Sequence, residues 1–189
     1  IYAKWEKEIT EITVTGIKAP IAGETADVSG ITITTEGITT GTVQWQVGNG
    51  SVFDGGVFEA GTQYMLFVGY TVDDGYQKTN EIEYSYNVEP EEETITNYWI
   101  GLYYTAKLPT YTVEFNVGGG SAVDSQIITA GEKAEEPATN PTRNGYIFAG
   151  WYADENYTAE FDFDTTINED TKIYAKWEKE ITEITVTGI

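Results

Sequence analysis

The sequence contains no cysteine and no histidine. Without cysteine there is no disulfide, no thiolate nucleophile and no thiolate metal site. Without histidine the commonest general base and the commonest transition-metal ligand are gone as well. Basic residues are scarce: ten Lys and Arg stand against 31 Asp and Glu, a formal net charge of −21. So acidic a chain repels nucleic acid and anionic lipid alike, which argues against both as partners and against direct membrane contact. No apolar run approaches the roughly 18–20 residues that cross a bilayer as a helix. Nor does a basic start followed by an apolar stretch mark a signal peptide. Helical periodicity sustained over ten residues is missing too. What stays open is carboxylate chemistry, oxygen-ligated Ca²⁺, glycan stacking on aromatics, or no small-molecule chemistry at all.

Core material is ample. The 189 residues are 40% hydrophobic and 14% aromatic, with 14 Tyr and 5 Trp, whereas acidic disordered chains are poor in aromatics. The decisive feature is an internal identity: IYAKWEKEITEITVTGI occupies residues 1–17 and recurs, unchanged, at residues 173–189. A match of that length does not arise by chance. It implies a tandem array with a 172-residue unit, too long for a solenoid repeat and long enough for one or two complete domains.

Strand patterns dominate. Residues 42–47 alternate so that Val43, Trp45 and Val47 share a face, and residues 81–88 do the same with Ile82, Tyr84, Tyr86 and Val88. Further strands are expected at 11–15, 30–35, 64–72 and 94–106. Turn clusters separate them: Gly48-Asn49-Gly50, Asp54-Gly55-Gly56 and Asp73-Asp74-Gly75. About seven short strands in about 100 residues indicate an antiparallel β-sandwich over residues 8–109. Trp45 sits mid-strand where immunoglobulin-like sandwiches bury an aromatic. Tyr64 follows a turn and precedes an apolar strand, an arrangement that resembles a tyrosine corner, whose hydroxyl ties a crossover loop to the backbone. The domain is similar to bacterial Ig-like surface modules.

Pro109 interrupts the strand pattern and opens a second domain, residues 110–177. It carries Tyr111-Thr112-Val113-Glu114-Phe115-Asn116, then Gly118-Gly119-Gly120-Ser121, Pro137, and Pro141-Thr142-Arg143-Asn144-Gly145-Tyr146. Phe148-Ala149-Gly150-Trp151-Tyr152, Phe161-Asp162-Phe163 and Ile173-Tyr174-Ala175-Lys176-Trp177 complete it. In that order these segments resemble the Listeria–Bacteroides repeat, the B-repeat of internalin-like surface proteins. The resemblance implies a small β-grasp-like fold and a place in the extracellular repeat region of a bacterial surface protein. Trp151 and Trp177 are natural anchors for so small a core. On this reading residues 1–7 are the last strand of a preceding B-repeat, and residues 178–189 start a following Ig-like domain. These overhanging strands are then expected to be either loosely ordered or paired head-to-tail with a neighbouring molecule, because an open strand edge templates such pairing.

Candidate chemistry is thin. Paired carboxylates are plentiful, but nothing in their spacing sets two of them across a cleft, so no catalytic residue is assigned and no enzyme is expected. Asp162, Asp164, Asn168 and Asp170 form an oxygen-rich run suited to Ca²⁺, though without EF-hand spacing; a solvated acidic loop is the other reading. No cofactor is expected. Net charge is −12 over residues 8–109 and −8 over 110–177, so anionic glycans are poor ligands. Neutral sugars can stack on exposed aromatics. Alternation through 94–106 puts Tyr98 and Tyr104 on one face as platform candidates, and Trp99 with Tyr103 on the other, where core or inter-domain packing is expected for Trp99. Lys18 and Asn87 are conceivable isopeptide partners.

The reading is therefore all-β: an Ig-like sandwich followed by a β-grasp-like B-repeat, within a cell-surface array. Its expected task is to act as a stalk or spacer that projects a distal domain, with neighbouring repeats as partners. The alternative is an adhesin module that binds a host protein or a neutral glycan.

Overall fold

A computed structural model describes residues 5–181 apart from 49 and 54. The outer parts of both overhangs, and the residues Asn49 and Asp54 of two expected turns, lie outside the described residues. The chain divides into two compact units, Ile1–Leu108 and Pro109–Ile189. Among the described residues there is no helix, and none long and apolar enough to cross a membrane.

The first unit contains β1 (Lys7–Thr15), β2 (Thr32–Ile33), β3 (Ile38–Val47), β4 (Ser51–Val52), β5 (Gln63–Val72), β6 (Tyr76–Tyr86), β7 (Glu92–Ile95) and β8 (Trp99–Thr105). They form two sheets, ordered β2-β1-β6 and β4-β3-β5-β8-β7. Period-two alternation builds the core between them. From β1 it takes Ile12 and Val14, from β5 Tyr64, Leu66 and Val68, and from β8 Ile100, Leu102 and Tyr104. Trp45 is the largest fully buried side chain. Its ring meets Phe58 and Tyr104 edge-on at 5.3 and 5.9 Å, and its indole N–H donates to the Asp27 carbonyl at 3.1 Å. Val43 and Val47 pack half-buried against this core, as do Ile82, Tyr84, Tyr86 and Val88 from the second alternating run. The Tyr64 hydroxyl accepts the Glu59 backbone N–H at 3.0 Å, so it ties the preceding loop back as a tyrosine corner does.

Two expectations about the strands need correction. The sandwich is not antiparallel throughout: β1 runs antiparallel to β2 but parallel to β6, from Lys7↔Tyr76 to Val14↔Tyr86. The chain reaches β6 directly from β5 through the Asp73–Gly75 turn, changing sheets there, and so arrives alongside β1 in the same direction. The second correction concerns residues 94–106, which are not one strand. Thr96 Oγ1 accepts the backbone N–H groups of Tyr98 and Trp99 at 3.2 and 3.0 Å. This side-chain turn folds the run into the hairpin β7–β8, with Ile95 opposite Ile100.

After β1 the chain is held by Asn87, whose amide accepts the Ile17 N–H and donates to the Ile17 carbonyl, both at 2.9 Å. Lys18 pairs with Asp27 at 3.0 Å. Both members of the conceivable isopeptide pair thus have other partners. The Ser29 hydroxyl and amide, and then the Lys18 ammonium, hold the Asp27 carboxyl down at about 2. A carboxyl depressed on folding contributes stability above its unfolded pKa of about 3.9 and loses it as pH falls towards the folded value. The Asp27→Asn variant should therefore show a shallower decline in urea midpoint between about pH 4 and pH 2 than the parent chain. Parallel declines in the two proteins would count against this role.

The second unit contains β9 (Thr110–Asn116), β10 (Gln126–Thr129), β11 (Tyr146–Tyr152) and β12 (Thr171–Lys179) in one sheet, ordered β10-β9-β12-β11. The two central strands, β9 and β12, are parallel, and both flanking pairs are antiparallel. Val113, Phe115, Trp151, Ile173 and Ala175 on one face meet Ala134 and Ile167 from the connecting loops. Phe148 links Trp151 and Trp177 edge-on at 5.2 and 5.7 Å, and the Trp177 indole donates to the Val117 carbonyl at 2.9 Å. β12 continues through Glu178 and Lys179, which pair with Ile147 and Tyr146. Those two residues, expected to start a following domain, are paired within this sheet.

Candidate functional site

The hairpin turn at Thr96 resets which β8 residues face the core. Ile100, Leu102 and Tyr104 point inward, so Trp99 and Tyr103 lie on the outer face of the five-stranded sheet, half-buried. The register assembles their neighbours. Gln46, Met65 and Tyr103 stand in one row across β3, β5 and β8, and Gln44, Phe67 and Gly101 stand in the next. The Trp99 ring stacks against Phe67 at 5.4 Å and 28°. It also lies over Gly101, where a methyl group would come within 2.9 Å of the indole and 2.8 Å of the Met65 sulfur. The glycine is what lets the ring lie close to the sheet. The result is an aromatic strip flanked by the uncharged amides of Gln44 and Gln46. A hollow of about 360 Å³ opens at its end, lined by Gln46, Gly48, Gly50, Gln63, Met65 and Tyr103. Flat rings beside neutral amides can stack an uncharged sugar ring and hydrogen-bond its hydroxyls.

The expected platform of Tyr98 and Tyr104 does not form. Tyr98 is 75% exposed at the hairpin tip, whereas Tyr104 is 4% exposed. The Tyr104 hydroxyl donates to the Val88 carbonyl at 3.0 Å, and burial pushes its phenol well above the ordinary range. Alternation alone put the two on a shared face, but Tyr98 belongs to the turn ahead of β8, and the face that Tyr104 shares with Ile100 and Leu102 is the core. Trp99, expected in the core or against the other domain, is the centre of the outer strip.

The acidic run 162–170 is not gathered around a common point. Asp162 accepts the Asp164 backbone N–H at 2.9 Å, and Asp164 pairs with Lys133 at 2.8 Å, which lowers its pKa. Asp170 accepts the Thr112 N–H at 2.8 Å and so anchors β9. Asn168 reaches Thr166. Among the described residues, no three acidic side chains converge as a metal site would require. The geometry favours the solvated-loop alternative.

Sequence reasoning passed over Asp154. Its carboxylate accepts the backbone N–H groups of Asn156, Thr158 and Ala159 and the Thr158 hydroxyl, and these bonds lower its pKa. Tyr157, inside this loop, takes φ 57° and meets Tyr152 edge-on at 5.7 Å. The Asp-x-Asn-x-Thr spacing was the available signal.

Residues 111–176 match the family model of the Listeria-Bacteroides repeat domain. The chain is 44% identical over 98 residues to a protein of Evansella cellulosilytica described as a membrane protein, and 38% identical over 89 residues to a Gly-rich membrane protein of the same organism. It is 31% identical over 100 residues to internalin H of Listeria monocytogenes. These matches take in 51%, 47% and 52% of this chain but only 14%, 10% and 18% of the respective relatives. Most of the second unit thus matches the Listeria–Bacteroides repeat, and the chain is similar over about half its length to an internalin.

Proposed function

We propose that the chain is part of an extracellular tandem array on a bacterial surface protein, in which each 172-residue unit is a spacer that carries a distal functional domain away from the cell. The observation that carries this reading is the recurrence of seventeen identical residues at a spacing that encloses one sandwich and one B-repeat-like unit. The family match of the second unit and the likeness to an internalin support the setting. The composition suits the task. A cysteine-free chain forms no stray disulfides outside the cell. A net charge of −21 keeps near-identical neighbouring units from associating. The reading assigns no catalysis.

Its test is reach. Stacked end to end, each unit would add on the order of 60 Å, from globular radii of gyration. Deleting units one at a time from the parent protein should draw a label at its distal end towards the cell wall in equal steps of that order. A label height indifferent to unit number would overturn the spacer reading.

A second reading, an adhesin module, is favoured by the strip of Phe67, Trp99 and Tyr103. It predicts that the 189-residue chain binds a member of an immobilised panel of neutral glycans and host-surface proteins at physiological salt. Trp99→Ala should weaken that binding at least tenfold. Silence across the panel removes this reading and leaves the first intact.

A further inference from the structure

The seventeen recurring residues are present twice in one molecule, and the two copies have different surroundings. Trp177 is packed against Phe148 and bonded to Val117, whereas its counterpart Trp5 is 90% exposed. The contrast reverses four residues later: Ile9 is 3% exposed in the core of the first unit, and its counterpart Ile181 is 77% exposed. One half of the segment is satisfied by a B-repeat-like unit, the other half by a sandwich. The two halves meet without a gap. Lys179 is the last residue of β12, and its counterpart Lys7 is the first residue of β1.

Backbone geometry decides whether both sets of bonds can form at once. In an extended strand, successive N–H groups point to opposite edges. The Lys7 N–H donates to the Gly75 carbonyl, on the β6 side, at 2.8 Å. The Glu180 N–H, the counterpart of Glu8, donates to the Gly145 carbonyl beside β11 at 3.0 Å. The two pairings therefore use alternate residues and opposite edges, so neither displaces the other. The Tyr146 N–H is directed to Arg143 rather than to its partner Lys179, which agrees with the Lys179 N–H facing away from β11. The hollow beside Glu180, about 620 Å³ and lined by Gly145, Tyr146, Ile147, Phe148 and Trp177 among others, leaves this end of the second unit open to a neighbour.

We infer that a B-repeat-like unit and the sandwich that follows it share one uninterrupted strand, running from the start of β12 to the end of the next β1. One edge of this strand would carry β9 and then the next unit's β6. The other would carry β11 and then the next unit's β2. It would span seventeen residues, roughly 55 Å at about 3.3 Å per residue. The partner fitted to this end of the molecule is thus a second copy of the first unit, covalently continuous with β12. The inference rests on the array reading, and it turns each such junction from a linker into a two-sided β joint.

The test extends the 189-residue chain with residues 18–108, so that its second seventeen-residue copy leads into a complete sandwich. Because the chain has no cysteine, two spin labels can be placed uniquely, at Asp124→Cys and at Glu89→Cys of the added sandwich. The expected result is an inter-label distance distribution a few ångströms wide, broadened at least twofold when Gly-Gly-Ser-Gly is inserted between Lys179 and Glu180. The Lys179 amide should also exchange about a hundredfold more slowly in the extended chain than in the 189-residue chain, because it gains an acceptor. Equal, broad distributions with and without the insertion would overturn the inference, as would a Lys179 amide that exchanges equally fast in both chains. An added sandwich that folds only when the insertion is present would overturn it too. The array reading fails separately, if peptide mapping of the parent protein finds no further copy of the unit.

Discussion

Replacing Gly16 with alanine is expected to unfold the first unit or to lower its stability by about 3–6 kcal/mol. Gly16 sits just after β1 with φ +79°, a conformation that costs an L-residue about 1–2 kcal/mol. The added methyl would stand 2.1 Å from the Gly30 carbonyl oxygen and 2.6 Å from its carbon. Both are backbone atoms, so no side chain can swing aside. Moving the chain instead would pull on Ile17, whose N–H and carbonyl are both held by Asn87. Each such bond, once broken and left part-buried, costs about 1–3 kcal/mol. Urea denaturation with hydrogen exchange should show the loss confined to residues of the first unit. The same substitution at Gly188, the recurrence of this residue, should leave that unit's transition where it was. An unchanged midpoint for Gly16→Ala would mean that the turn relaxes far more readily than its contacts imply.

Trp151→Ala is expected to unfold the second unit at 37 °C. Among the described residues, the buried cluster of this unit has seven members against seventeen in the first, and a unit of that size has only a few kcal/mol in reserve. Trp151 contributes the largest of the seven and meets Phe115 and Phe148 edge-on at 5.0 and 5.2 Å. Truncating such a residue costs about 3–5 kcal/mol, which is comparable to the whole margin. Trp151→Phe should behave differently. It keeps a ring in place and removes an indole N–H that is buried without an acceptor among the described residues. Its cost should be less than half that of alanine, read as the shift in thermal midpoint. Equal shifts for the two variants would show that indole volume, rather than ring contact, holds this core.

Residues that repeat a pattern were legible in the sequence; residues that interrupt one were not. Val43, Trp45 and Val47 declare a strand face by strict alternation, and the structure turns that face to the core, with Trp45 buried and the two valines half-buried against it. Tyr64 declares itself by the turn before it. The aromatic blocks around Trp151 and Trp177 identify the second unit almost residue by residue. Thr96, by contrast, looks like any other residue of a β-rich run. Its hydroxyl, accepting two backbone N–H groups, and its own N–H, donating to the Trp99 carbonyl, make a turn of it, so the alternation of β7 does not carry on in phase into β8. Alternation set Trp99 with Tyr103 apart from Tyr104, as the structure does, but carried no sign of which of the two faces meets the core. The parallel pairing of β1 with β6 was hidden for another reason: strand direction is set by where the chain crosses between sheets, and alternation carries no sign for direction. The acidic residues of 162–170 do not converge because their carboxylates serve the fold locally: Asp162 in an Asx turn, Asp164 in an ion pair with Lys133, and Asp170 as an anchor for β9.

The parallel arrangement of β9 and β12 has a mechanical consequence. Tension applied along the chain would reach the second unit at Thr110, the start of β9, and leave at Lys179, the end of β12. Since these neighbouring strands point the same way, such a pull slides one lengthwise against the other. The four register pairs from Thr171↔Val113 to Tyr174↔Asn116 then resist in shear, sharing the load together, instead of opening one after another as a hairpin does when it is unzipped.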